Sequence, residues 1–200
     1  MTREEKRQNL RDRLIAVTEA RIDSGGVSSL RARDLAAEAG CSVGGIYTVF
    51  RDLDDLVLQV NARTFTEIGR QVGERIAELR DAPPVGRLIA MAETYYDFAA
   101  ANTARWEAVF ESDLSVKGDV PEWYTAEVAR LFEVVAEPVR TLRPDLAGDK
   151  VDLLARGLFS SVHGIVLLSV QSRLSAVPRD QVNAVMAMML RAATRVPDPN

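Results

Sequence analysis

The residues able to do chemistry in this chain of 200 amino acids suit binding better than catalysis. There is one histidine, His163, and one cysteine, Cys41. No nucleophile sits beside a base and no glycine-rich phosphate loop is present, so no enzyme activity and no cofactor are expected. One cysteine and one histidine far apart in sequence do not make a zinc site, and no intrachain disulfide can form. The informative stretch is residues 30–56, LRARDLAAEAGCSVGGIYTVFRDLDDL. Leu35, Ala36 and Ala39 form the apolar stripe of a short helix that ends at Gly40, a residue suited to the left-handed conformation past a helix end. After the turn 40–42, Ser42 is placed to cap a second helix starting at Val43. Ile46, Val49 and Phe50 then face inward, while Gly44, Gly45, Tyr47 and Thr48 stay outside. Two short helices across a tight turn make a helix-turn-helix, whose second helix reads the DNA major groove. Gly44 and Gly45 cost about 1 kcal/mol each within a helix, a cost that a backbone pressed against DNA would explain.

At many positions in register these residues resemble the DNA-binding signature of the tetracycline repressor (TetR) family of bacterial transcription regulators. The resemblance is carried by Arg33-Asp34-Leu35-Ala36, Ala39-Gly40-Cys41-Ser42, Gly44, Ile46-Tyr47, Phe50 and Asp54-Asp55-Leu56, about the first quarter of the chain. Val43 and Leu53 stand where the family commonly carries lysines, and Arg31 replaces the usual Ser or Thr cap, so capping is expected to shift to Ser28 or Ser29. Positive charge is expected to shift to Arg31, Arg33 and Arg51, because phosphate contacts set register and much of the affinity. The expected DNA-binding residues are therefore Arg31, Arg33, Ser42, Val43, Gly44, Gly45, Tyr47, Thr48 and Arg51. The resemblance implies repression, with operator DNA as partner.

A second constellation lies downstream. Trp106 and His163-Gly164 resemble the Trp, His and Gly that mark one C-terminal domain type of the family, the Trp-His-Gly (WHG) type. A histidine centred in an apolar helix must satisfy its ring nitrogens in the core or on a ligand. With Met91, Tyr95, Phe98, Trp106, Phe110, Trp123 and Phe132 on successive helices, His163 is expected to line a mainly apolar pocket for a small-molecule effector.

Composition narrows the alternatives. The formal net charge is −4 and the sequence pI about 5.2, against non-specific coating of nucleic acid. The distribution is uneven: residues 1–33 hold eight basic residues (Arg3, Lys6, Arg7, Arg11, Arg13, Arg21, Arg31, Arg33) against five acidic ones. A charged N-terminus argues against a signal peptide, and the longest charge-free run near the C-terminus, 157–172, is short of the roughly 20 apolar residues of a membrane span. A cytoplasmic, non-membrane protein is expected.

Helical periodicity, with no strand pattern or repeat, predicts an all-α chain of about nine helices. These form a helix-turn-helix DNA-binding domain over residues 1–56 and a helical ligand-binding and dimerisation domain over 57–200. Helices are predicted over 3–24, 54–80, 85–101, 103–111, 121–142 (bent or closed near Pro138), 150–176 and 178–196, besides the two of the motif, with a loop at Gly118 and a frayed tail at 197–200. The helix over 150–176 is apolar on nearly every face and must be covered all round, which a second copy of the same surface would achieve as a four-helix bundle. Leu154, Leu158, Val162, Ile165, Val182, Val185 and Met189 are the expected homodimer contacts. The reading is a dimeric repressor released from its operator by a small apolar ligand. A helical-bundle enzyme or a protein-binding adaptor is the alternative, and either would lack salt-dependent DNA affinity.

Overall fold

The computed structural model describes residues 1–111 and 120–196, so the loop expected at Gly118 and the tail at 197–200 lie outside the described residues. All regular structure among the described residues is helical: α1 Arg3–Gly25, α2 Ala32–Glu38, α3 Val43–Ile46, α4 Leu53–Glu78, α5 Pro84–Ala101, α6 Thr103–Glu111, α7 Glu122–Leu142, α8 Gly148–Val170 and α9 Val182–Ala193. The ends follow from local chemistry. Thr2 opens α1 with a reciprocal capping box: the Glu5 amide donates to Thr2 Oγ1 at 3.1 Å and the Thr2 amide to Glu5 Oε2 at 2.7 Å. Gly26 closes it at φ +69°, where a side chain would be strained.

Some boundaries differ from the sequence expectation. Neither Ser28 nor Ser29 caps α2; both join the 3₁₀ turn Val27–Ser29, and Arg31 occupies the cap position with no side-chain bond to the helix. Pro138 does not close α7, which runs through it to Leu142. The helix expected to reach residue 176 stops at Val170, and the turn beyond it holds Ser172 at φ +51°. The last helix begins at Val182, after the 3₁₀ turn Arg179–Gln181.

The chain folds as two compact units, each discontinuous in sequence. Unit 1 comprises residues 1–66 and 102–125. Its core joins Leu14, Ile15 and Ile22 of α1 to Leu35, Ile46, Phe50, Leu56 and Val60. α6 packs on α1 in the same unit and is tied there by charge: Arg105 Nη1 donates to Glu19 Oε1 at 2.6 Å, and Arg63 pairs with the same carboxylate at 3.7 Å. Asn61, buried on α4, donates to the Ala108 carbonyl of α6 at 3.1 Å. Unit 2 comprises residues 67–101 and 126–200; in it α5 packs on α8 and α9, with Leu88, Val151, Leu158, Val166, Val182, Met186 and Leu190 buried on these helices and Val139 buried on α7. α4 contributes residues to both units.

Candidate nucleic-acid interface and effector site

The turn of the motif is built as its residues require. Gly40 takes φ +66°, and Ser42 Oγ accepts from the Gly45 amide at 3.1 Å, supplying one of the otherwise unmet donors at the start of α3. The two glycines that follow are not equivalent. A Cβ at Gly45 would lie 3.3 Å from the Cys41 Cβ, so close packing of the turn itself accounts for that glycine. A Cβ at Gly44 would meet only Ser42 Oγ, at 3.9 Å, which leaves no packing reason for a residue that costs about 1 kcal/mol against alanine in a helix.

The outward surface of the motif holds Arg31, Arg33, Ser42, Val43, Gly44, Tyr47, Thr48 and Arg51, all exposed, with Tyr47 half open at 50%. Several are already engaged. Arg31 Nη1 donates to the Ser28 and Leu30 carbonyls at 2.8 Å, Thr48 Oγ1 to the Gly45 carbonyl at 2.7 Å, and Arg51 Nε to Asp52 Oδ2 at 3.1 Å. Asp52 and Asp55 cap the start of α4 reciprocally: the Asp55 amide donates to Asp52 Oδ1 at 2.7 Å and the Arg51 amide to Asp55 Oδ2 at 3.0 Å. α3 is held from α1 by Arg11, whose Nη1 donates to the Val49 carbonyl at 3.2 Å and whose guanidinium lies 4.8 Å from the centre of the Phe50 ring.

The residues expected to line an effector pocket fall into two groups. In unit 2, Met91, Tyr95 and Phe98 are buried on α5, Phe132 is half-buried on α7, and His163 is half-buried on α8. Tyr95 Oη and His163 Nδ1 are hydrogen-bonded at 2.9 Å. Burial disfavours the imidazolium and lowers the His163 pKa from its ordinary 6.5. Phe159, which the sequence places among the apolar residues of this helix but not in the expected pocket, organises this group. Its ring stacks on His163 at 5.7 Å, meets Phe132 edge to face at 5.2 Å, and lies 5.8 Å from Tyr95. Its position four residues before His163, one helical turn away, was the available signal. Arg156 sits 4.5 Å over the Phe132 ring.

In unit 1, Trp106 is fully buried and its ring lies 5.3 Å from that of Phe110, while Phe110 and Trp123 are exposed at 44% and 39%. Trp123 meets Tyr124 edge to face at 5.6 Å, and burial lifts the Tyr124 phenol to about 12.

The expected dimer contacts also divide. Leu158, Val162 and Val182 face the interior of unit 2 and are buried there, so they are not available to a second subunit; Leu154, Ile165, Val185 and Met189 are half-buried. The outward side of α8 and α9 instead presents Leu153 at 70%, Leu168 at 38% and Met188 at 65% exposure. Between the first two lie Gly157 and Gly164, where an added Cβ would meet nothing. By length and composition alone α8 could cross a membrane, with a mean hydropathy of 1.7 over its most apolar 18 residues. Asp149, Lys150 and Asp152 precede that stretch and Arg156 lies within it.

Comparison with known proteins agrees with this architecture. The family profile described as tetracyclin repressor-like, C-terminal domain, matches residues 88–193; that description does not single out the Trp-His-Gly type. The HTH-type transcriptional regulator BetI of Yersinia pestis (strain Pestoides F) is 26% identical over 165 residues, covering 81% of this chain and 81% of its own. The same fold recurs in a protein of unknown function from Rhodococcus sp. RHA1, at 22% identity and a TM-score of 0.72 over 90% of this chain and 93% of that one. It recurs again in the multidrug binding protein EbrR complexed with imidazole, at 21% identity and a TM-score of 0.66 over 94% and 96%. With more than half of its length matched by that profile, and a capped helix-turn-helix ahead of the match, this chain belongs to the tetracycline repressor (TetR) family of DNA-binding transcriptional regulators.

Proposed function

We propose that this regulator is a cytoplasmic homodimeric repressor that binds operator DNA through residues 31–51 and leaves it when unit 2 takes up a small, mainly apolar effector. Members of the family are regulators and not enzymes, which disposes of the helical-bundle enzyme alternative. The observation that carries the dimer is the outward stripe Leu153, Gly157, Gly164 and Leu168 on α8 with Met188 on α9, large apolar side chains separated by glycines that let a second helix approach closely. A two-fold axis along such a stripe is self-complementary and sets two recognition helices at a fixed spacing.

The effector reading rests on Met91, Tyr95, Phe98, Phe132 and His163, to which Phe159 is added. Aromatic surface supplies most of the contact, and Tyr95 and His163 give the few polar groups that orient a ligand. α4 supplies residues to both units, and an effector that prefers one spacing of the recognition helices shifts the population away from the operator-bound form. Titrating effector with and without operator DNA tests this: an inducer must bind more weakly in the presence of operator, by the factor by which it loosens the operator. Met91→Trp should abolish release while leaving DNA affinity intact. A ligand whose affinity ignores DNA would overturn the switch and leave the DNA-binding function standing.

A further inference from the structure

The cations of unit 1 among the described residues divide sharply by what they already hold. Arg11, Arg21, Arg31, Arg51, Arg63 and Arg105 are each bound to a carboxylate or a backbone carbonyl within the unit. Arg3, Lys6, Arg7, Arg13 and Arg33 make no side-chain hydrogen bond or ion pair among the described residues. Four of these five lie in the first half of α1, outside the helix-turn-helix.

Helical phase separates the four. Leu14, Ile15, Thr18 and Ile22 bury one side of α1, and the same side continues toward the N-terminus at three- and four-residue spacing as Arg11, Gln8, Arg7 and Glu4. Beyond the edge of the core this line faces a surface notch of about 190 Å³, lined by Glu4, Arg7, Gln8, Arg11 and Val49. Val49 lies just past α3, and its carbonyl is the acceptor that fixes Arg11. The notch thus adjoins the recognition element and holds one immobilised and one uncommitted guanidinium. Lys6 and Arg13 point the other way, because two residues turn an α-helix by about 200°.

The recognition motif itself keeps Arg33 uncommitted, but Val43 and Leu53 are apolar, and Arg31 and Arg51 are held within the protein. We infer that the notch between the first turns of α1 and Val49 seats a backbone phosphate of the operator, with Arg7 as the contacting cation and Arg11 positioning both the notch and the end of the recognition helix. The inference rests on the DNA-binding function and adds a contact that the motif does not contain. Glu4 lines the same notch and opposes the phosphate, so its removal has a defined sign.

The test measures the salt dependence of binding to a duplex selected by the wild-type protein from a random-sequence library, and to an unrelated duplex of equal length. Removing one phosphate contact lowers the magnitude of the log–log slope by about 0.9. Arg7→Gln should lower it by that amount per notch on both duplexes, leaving sequence preference and the melting temperature unchanged. Arg13→Gln, an identical change in net charge, should leave the slope at its wild-type value. Glu4→Gln should tighten binding, and it tests the notch even if Arg7→Gln folds poorly. Equal slopes for Arg7→Gln and Arg13→Gln, or no tightening by Glu4→Gln, would overturn the notch while the DNA-binding function stood. Absence of salt-dependent binding by the wild-type protein would overturn both.

Discussion

The two units present opposite surfaces. Unit 1 turns uncommitted cations outward beside a polar recognition face, with Tyr47 and Thr48 exposed and Gly44 bare. Unit 2 ties many of its arginines to carboxylates, as in Arg70 with Glu67 and Glu74, Arg87 with Glu137 and Arg140 with Glu133, and turns Leu153, Leu168 and Met188 outward. Surface ion pairs of this kind add little stability. Unit 2 thus offers an apolar face suited to a copy of itself, and unit 1 offers uncommitted charge suited to a polyanion.

The contrast is broken most severely through the apolar face. Leu153→Arg with Met188→Arg should give monomers in sedimentation velocity and weaken operator binding by about 10²–10⁴-fold, the avidity that disappears when two linked sites become one. Since both residues are exposed in one subunit, each monomer should keep its helical content; a dimer surviving both changes would move the interface elsewhere. Within unit 1 the largest effect belongs to the core. Trp106→Ala, which empties a fully buried site, should cost about 3–5 kcal/mol in denaturant unfolding.

The adjacent glycines sharpen the comparison. Gly44→Ala should leave stability unchanged or raise it by up to about 1 kcal/mol and yet impair DNA binding, because the added methyl meets open space in the free protein. Gly45→Ala should lower the melting temperature instead, since its Cβ is crowded by Cys41. Loss of stability in both, with DNA affinity kept in the first, would remove Gly44 from the interface.

The smallest effect is that of His163. Its folded pKa is lowered below 6.5, so on acidification the unfolded chain takes up the proton first. Its contribution to stability is complete above about pH 6.5 and is lost as pH falls from there toward the lower folded value. Thermal unfolding between about pH 7.5 and 5.5 should show this decline in the wild type and a shallower one in His163→Gln. Identical curves would mean that burial does not disfavour the charged ring.

What was legible in the sequence was local. Ser42, Gly40 and the apolar spacing of 30–50 specify the motif because caps, turns and helical phase act within a few residues, and the capping of α3 by Ser42 follows from them. The direction of α8 was not legible. A helix apolar on nearly every face has no phase, so Leu158 and Val162 could not be told from Leu153 and Leu168 without knowing where α5 and α9 pack. Nor was the place of α6, which joins unit 1 through Arg105 with Glu19, a pair 86 residues apart. Glu38 in the motif likewise pairs with Arg21, and its carboxyl pKa is lowered by that guanidinium.

Selection of duplexes from a random-sequence library by the purified protein tests the central claim most directly. A homodimer presenting two recognition helices predicts a palindromic consensus with half-sites centred about 10 bp apart or at a multiple of that spacing. A consensus without two-fold symmetry, or no enriched sequence at all, would contradict it.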